Sequence, residues 1–98
     1  MKGKIYISGA ISGTKDYLER FEVAEKKLVE DEYSVVNPAK IMSFLPTDTT
    51  YEQYMDMGII MLDMCQQIYM LKGWEKSLGA NREFGYALAK GMTILNEE

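Results

Sequence analysis

The segment Lys4-Ile5-Tyr6-Ile7-Ser8-Gly9 decides the fold that this sequence predicts. Its β-branched and aromatic residues favour a short buried strand, and Gly9 marks the loop that ends it. An amphipathic helix is predicted over residues 14–31, because apolar side chains recur every three or four positions from Tyr17 to Leu28. The chain therefore begins with a strand, a glycine loop and a helix.

Strand and helix signals alternate along the rest of the chain. We predict further strands at 33–37, 67–71 and 92–95 and further helices at 51–64 and 77–90. This βαβαβαβ order predicts an α/β fold with a parallel sheet of about four strands, right-handed crossovers and helices on both faces. Residues 39–48 are predicted to be loop.

Local capping signals place two of the helix starts. Thr14 is expected to begin the first helix. The run Thr49-Thr50-Tyr51-Glu52 has the Ser/Thr-x-x-Glu form of a capping box, in which both ends of the motif bind amides of the first turn. The second helix is therefore expected to begin at about Tyr51.

The second helix is rich in methionine and has two apolar stripes. One stripe can pack on the sheet, and the other needs a different partner. The second stripe consists of Met57, Ile60, Met61 and Met64. These side chains are either flexible core filler or a subunit interface that would make a homodimer or a larger homo-oligomer.

Composition limits the class of protein. Ninety-eight residues suffice for one domain, which we place at 1–98, and a net charge of −4 argues against nucleic-acid binding. The chain has no histidine and one cysteine, Cys65, so no metal or cofactor is expected and chemistry would fall to carboxylates, hydroxyls and backbone. No apolar run could span a membrane and no signal peptide is evident, so a cytoplasmic protein is expected.

The loop after the first strand is a candidate binding site. In an open α/β sheet, ligands bind outside the carboxyl ends of the strands. The loop contains two glycines and two hydroxyls just before a helix, a setting that favours anions. Its residues are Ser8, Gly9, Ala10, Ile11, Ser12 and Gly13. It matches neither dinucleotide nor triphosphate motifs, and a purely structural turn is the alternative.

Glu83 is the candidate nucleophile. It shares a helix face with Ala80 and Phe84 and lies among small residues, which allow close approach to the sheet or to a ligand. A carboxylate in that setting would be partly desolvated. The alternative is an exposed helix glutamate paired with Arg82 or Lys90.

An ordered set of segments resembles the nucleoside 2-deoxyribosyltransferase-like superfamily, and in particular its short, often phage-associated branch. The set covers nearly the whole chain. Its members are Ile5-Tyr6-Ile7-Ser8-Gly9, Val36-Asn37-Pro38-Ala39, the run from Leu62 to Leu71, and the run from Gly73 to Glu83.

The resemblance implies a Rossmann-like or flavodoxin-like three-layer sandwich and cleavage of the N-glycosidic bond of a 2′-deoxynucleoside or its 5′-monophosphate. By the same resemblance, Glu83 attacks the sugar C1′ and forms a covalent glutamyl-deoxyribosyl intermediate, which water or a second base resolves. Such a retaining displacement needs no histidine. Tyr6 matches the tyrosine that positions the nucleophile, although it could simply be a core residue.

The 5′ end of the substrate is expected at the glycine loop and Ser77. Relatives that act on nucleosides carry an aspartate where this chain has Ser77, and the monophosphate N-glycosidases carry a serine. Ser77 therefore favours a phosphate, although it could also be a plain helix N-cap, and the two roles are compatible. Ser12 replaces an arginine of those N-glycosidases and weakens that preference. Gly79 is also expected near the substrate, and Trp74 is expected either to stack on the base or to pack on the surface.

One position departs from the family pattern. Gly58 aligns with an aspartate that helps the base to leave. Asp56 could replace that aspartate only if the helix began or kinked differently, because two positions turn a side chain by roughly 200°. A hydrolytic deoxynucleoside 5′-monophosphate N-glycosidase and a catalytically silent nucleotide-binding module therefore remain alternatives to a transferase.

Overall fold

A computed structural model describes residues 2–98 of the chain. These residues form four strands and four α-helices, with two consecutive helices between the second and third strands and a 3-10 turn before the last helix. In chain order the elements are β1 (Lys4–Ser8), α1 (Tyr17–Glu30), β2 (Ser34–Val36), α2 (Pro38–Met42), α3 (Tyr51–Asp63), β3 (Gln67–Met70), the 3-10 turn (Trp74–Lys76), α4 (Leu78–Ala89) and β4 (Thr93–Asn96).

The strands form one parallel sheet in the order β2-β1-β3-β4. Tyr6 of β1 pairs with Val36 of β2 and with Ile68 of β3. From β1 the chain continues to β2 at one edge of the sheet, whereas from β3 it continues to β4 at the other edge. A crevice therefore opens beyond the carboxyl ends of β1 and β3, where ligands bind in such folds.

Side-chain alternation along β1 divides the core into two layers. Ile5 and Ile7 pack with buried residues of α1 and with Ala39 of α2, whereas Tyr6 packs with buried residues of α3 and α4. Successive strand residues point to opposite faces, so Tyr6 and Ser8 share a face. The predicted three-layer α/β sandwich with a four-stranded parallel sheet is confirmed.

Two predicted boundaries in the first half of the chain were wrong. Residues 38–42 form the short helix α2, because Pro38 suits a first helical position and the Asn37 side chain accepts the Lys40 amide. The helix predicted to begin at Thr14 begins at Tyr17. The Thr14 hydroxyl instead donates to the carbonyl of Ile11 and closes a turn of the glycine loop.

The second stripe of α3 remains partly open to solvent. Ile60 and Met64 are exposed, and Met57 and Met61 are half-buried. Self-association through this face therefore stays a prediction. Within residues 2–98, none of the helices has the length and apolar character needed to cross a membrane.

The capping box of α3 lies one residue later than the sequence pattern predicts. The Thr50 hydroxyl accepts the Gln53 amide, and the Gln53 side chain accepts the Thr50 amide. Glutamine serves here because its amide oxygen accepts as a carboxylate would. The hydroxyl of Thr49 donates to the Pro46 carbonyl instead.

We therefore expect Thr50→Ala to lower the free energy of unfolding by about 1 kcal/mol, since an amide of the first turn loses its acceptor. Thr49→Ala is the matched control and should change stability by less than half as much. Urea denaturation followed by circular dichroism measures both variants. Equal losses would contradict the assignment of the cap to Thr50.

Candidate active site

A cavity of about 770 Å³ opens beyond the carboxyl ends of the strands. Its walls come from the loops after β1, β2 and β3 and from the first turns of α1, α3 and α4. Residues from each of these walls include Gly9, Arg20, Pro38, Tyr51, Lys72 and Gly79. The cavity coincides with the crevice that the strand order predicts.

Glu83 lies on the floor of this cavity. The carboxylate is 9% exposed and accepts two short hydrogen bonds. The Tyr6 hydroxyl donates to Oε2 at 2.6 Å, and the Ser8 hydroxyl donates to Oε1 at 2.7 Å. Both donors come from the same face of β1, so strand alternation brings them to one carboxylate on α4.

Burial and hydrogen bonding act on this carboxylate in opposite directions. Burial raises the pKa of Glu83 above its ordinary value of 4.5, and the hydrogen bonds from Tyr6 and Ser8 lower it again. Burial is the larger effect. The pKa of the Tyr6 phenol is raised well above its ordinary value, first by burial and then by the charge of Glu83, so Tyr6 stays protonated and acts as a donor.

Gly58 of α3 completes the enclosure of this pair. A Cβ atom at position 58 would lie 2.9 Å from Oε2 of Glu83 and 3.0 Å from the Tyr6 hydroxyl oxygen. Those distances leave no room for a side chain. The helix interior therefore carries glycine, at a cost of about 1 kcal/mol in helix propensity, because α3 approaches the carboxylate so closely.

The other predicted binding residues separate into two groups. Gly9, Ala10, Ser12, Ser77 and Gly79 line the cavity. Ser77 also caps α4, since its hydroxyl accepts the Ala80 amide, and this agrees with both interpretations of that residue. Gly13 adopts a positive φ of 80° but does not line the cavity, so it shapes the loop without facing the ligand space.

The structure does not bring Asp56 or Trp74 to the site. Asp56 is exposed and lies outside the cavity, because α3 runs regularly from Tyr51 and turns residue 56 away from the face that carries Gly58. Trp74 packs against Phe84, with ring centroids 4.7 Å apart, and so takes its alternative role in surface packing. No acidic side chain of α3 therefore reaches Glu83.

Several residues of the cavity were missed by sequence reasoning. Three are cations: Arg20, Lys72 and Lys76. Tyr51 and Tyr54 contribute aromatic surface to the α3 wall. Lys72 could have been found from the sequence, because it follows β3 by two residues and therefore lies at this edge of the sheet. Arg20 could not, because it lies within α1 and reaches the loop only through its long side chain.

Within the part of the chain that the structure describes, no three acidic, cysteine or histidine side chains are grouped so as to hold a metal ion. The structure is that of a parallel α/β protein with a buried carboxylate at the floor of a ligand-sized cavity. A phenol and a serine hydroxyl each donate a hydrogen bond to this carboxylate. Such a carboxylate can act as a nucleophile or as an acceptor for a bound ligand.

The chain belongs to the family described as "Domain of unknown function (DUF4406)", which it matches over residues 3–96. Neither the curated proteins nor the solved structures provide a match. The family assignment therefore covers nearly the whole sequence, and the resemblance to the deoxyribosyltransferases stays a prediction.

The contact at Gly58 predicts that Gly58→Ala destabilises the protein. Overpacking costs about 1–3 kcal/mol and exceeds the gain of at most about 1 kcal/mol in helix propensity. Gly85→Ala is the control, because Gly85 is an exposed position of α4 where a Cβ would meet no atom within 4 Å. Urea denaturation should show a loss for the first variant and a gain for the second; a gain for both would contradict the close approach.

The raised pKa of Glu83 predicts how stability depends on pH. A group whose pKa is higher in the folded state takes up a proton on folding, so its contribution is fully present below pH 4.5 and is lost as the pH rises through the folded pKa. Wild type should therefore lose stability relative to Glu83→Gln as the pH rises above 4.5 and through the folded-state pKa. Urea denaturation across this range measures the difference, and parallel curves would contradict the raised pKa.

Proposed function

We propose that this protein cleaves the N-glycosidic bond of a 2′-deoxynucleoside or its 5′-monophosphate. The observation that carries the proposal is the Glu83 carboxylate, held by Tyr6 and Ser8 at the floor of a cavity large enough for such a ligand. The resemblance of the sequence to the deoxyribosyltransferase-like superfamily supports the same chemistry.

Two features suit Glu83 to nucleophilic attack. A carboxylate has about four lone-pair sites, so each oxygen keeps one after accepting a single hydrogen bond. The bonds from Tyr6 and Ser8 fix the side chain and oppose the effect of burial on its pKa. The nucleophile is therefore oriented before the substrate arrives, which avoids part of the entropic cost of reaching the transition state.

The reaction proceeds in two displacements at C1′. An oxygen of Glu83 forms a bond to C1′ while the bond from C1′ to the base nitrogen breaks, and the base leaves with that electron pair. Water, or a nitrogen of a second base, then attacks C1′ and loses a proton to solvent, while the bond from C1′ to the Glu83 oxygen breaks and the carboxylate is released. The configuration at C1′ is retained because it inverts twice. Water as the acceptor gives a hydrolase, and a second base gives a transferase.

The walls of the cavity supply the remaining contacts. Ser77 and the backbone of Gly9 and Ala10 line the space on the loop side, where the 5′ end of the sugar is expected. Tyr51 and Tyr54 line the α3 side, and their aromatic surface suits contact with a planar base. The ligand would thus extend across the crevice, with C1′ above Glu83.

No acidic side chain of α3 is placed to donate a proton to the departing base. Gly58 has no side chain and Asp56 is exposed outside the cavity. The base would therefore take its proton from solvent, without the roughly 10²- to 10⁴-fold gain that a positioned acid provides. This observation favours a second candidate function, a nucleotide-binding module without catalytic activity.

The test incubates the protein with each 2′-deoxynucleoside and each 5′-monophosphate and measures released base by chromatography. Wild type should release base, and Glu83→Gln should do so about a thousand-fold more slowly, since it lacks the nucleophile. Tyr6→Phe should lose about 10- to 100-fold, the value of a hydrogen bond to a charged group. The rate should rise with pH through the raised pKa of Glu83, because only the ionised form attacks.

Glu30→Gln is the matched control, since Glu30 is an exposed glutamate of α1 outside the cavity and should keep wild-type activity. Equal rates for wild type and Glu83→Gln would refute the proposed nucleophile. Nucleotide-dependent thermal stabilisation without released base would instead establish the binding module.

A further inference from the structure

We infer that the ligand of this cavity carries a phosphate monoester, which Lys72 and Lys76 bind at the cavity edge with Arg20 on the α1 wall. The inference rests on the proposed function, because it identifies the substrate class of the same site. It selects the nucleoside 5′-monophosphate over the free nucleoside.

The cavity is positively charged although the protein is negatively charged. The chain has a net charge of −4. The charged residues that line the cavity are nevertheless three cations, Arg20, Lys72 and Lys76, and one carboxylate, Glu83. Cations collected in a cleft raise the local concentration of anionic ligands. This charge reversal points to a ligand that carries negative charge of its own.

Lys72 and Lys76 are available for such a ligand. Neither side-chain ammonium group has a carboxylate within 4.0 Å in the range 2–98, although the backbone amide of Lys72 donates to Oε1 of Glu97 at 2.8 Å. Lys27, Lys40 and Lys90, by contrast, each lie within that distance of an acidic side chain. Within the described residues, the ammonium groups of both cavity lysines are therefore not engaged in an ion pair.

The loop after β3 directs both lysines to the same space. Gly73 adopts a positive φ of 85°, and the 3-10 turn Trp74–Lys76 follows it directly. The Arg20 guanidinium donates to the Ala10 carbonyl at 3.0 Å and lies 3.4 Å from the exposed carboxylate of Asp16. Arg20 is thus attached to the glycine loop and lines the same cavity as the lysines from α1.

The position of Glu83 determines which end of the ligand is charged. Its carboxylate is on the cavity floor, and a phosphate beside it would be repelled when both are ionised. The phosphate must therefore lie toward the cations while C1′ lies toward Glu83. A nucleoside 5′-monophosphate has this polarity, because its phosphate and its base occupy opposite ends of the sugar.

Binding measurements test the inference without depending on catalysis. Glu83→Gln is titrated calorimetrically with each 2′-deoxynucleoside, with its 5′-monophosphate and with inorganic phosphate. The monophosphate should bind at least about ten times more tightly than the nucleoside at low salt, and this preference should shrink as salt is added. Inorganic phosphate should bind more weakly than the nucleotide.

Two substitutions locate the phosphate. Lys72→Gln and Lys76→Gln, each added to Glu83→Gln, should weaken monophosphate binding about three- to five-fold and leave nucleoside binding unchanged. Lys26→Gln is the matched control, because Lys26 is an exposed lysine of α1 outside the cavity, and it should affect neither ligand.

Equal affinities for nucleoside and monophosphate, or a monophosphate preference that survives loss of both lysines, would overturn the inference. Inorganic phosphate that binds as tightly as the nucleotide would overturn the substrate class. Phosphate-dependent binding by a wild-type protein that releases no base would refute the enzymatic proposal alone. Glu83-dependent base release with no preference for the monophosphate would refute the phosphate inference alone.

Discussion

The burial of the Glu83 carboxylate is the constraint on which the rest of the site depends. A charged carboxylate loses hydration when it is buried, and only donors placed at both oxygens offset that loss. Tyr6 and Ser8 provide these donors from one face of β1. The central strand and the last helix are therefore joined through the same atoms that would carry the chemistry, so stability and function share one pair of hydrogen bonds.

The close approach of α3 explains both the shape of the site and its chemical limit. Gly58 allows the helix backbone to cover the carboxylate and the phenol, and the same glycine leaves no acid beside them. Under the proposed function, enclosure would favour a preorganised nucleophile, while the missing acid would slow departure of the base. Whether the protein turns over or only binds its ligand depends on the balance of these two effects.

The charge distribution separates the two ends of the cavity. The floor holds one carboxylate, and helix α1 and the segment after β3 bring three cations to the walls above it. The net charge of −4 argues against binding of long polyanions, whereas the cationic crevice favours a small anion locally. The expectation of no nucleic-acid partner and the inference of a phosphorylated ligand are thus compatible.

The sequence by itself determined the layers of the fold and part of the site. Strand and helix periodicity predicted the parallel sheet, residue types singled out Glu83 and the glycine loop, and the family resemblance added Tyr6. Tertiary structure decided the rest, because it depends on how distant elements pack. This applies to the helix α2, to the exposure of Asp56, to the packing of Trp74, and to the cavity that Arg20 and the two lysines line together. Periodicity reports which face of an element is apolar, but only the packed sheet and helices determine which side chains share a cavity.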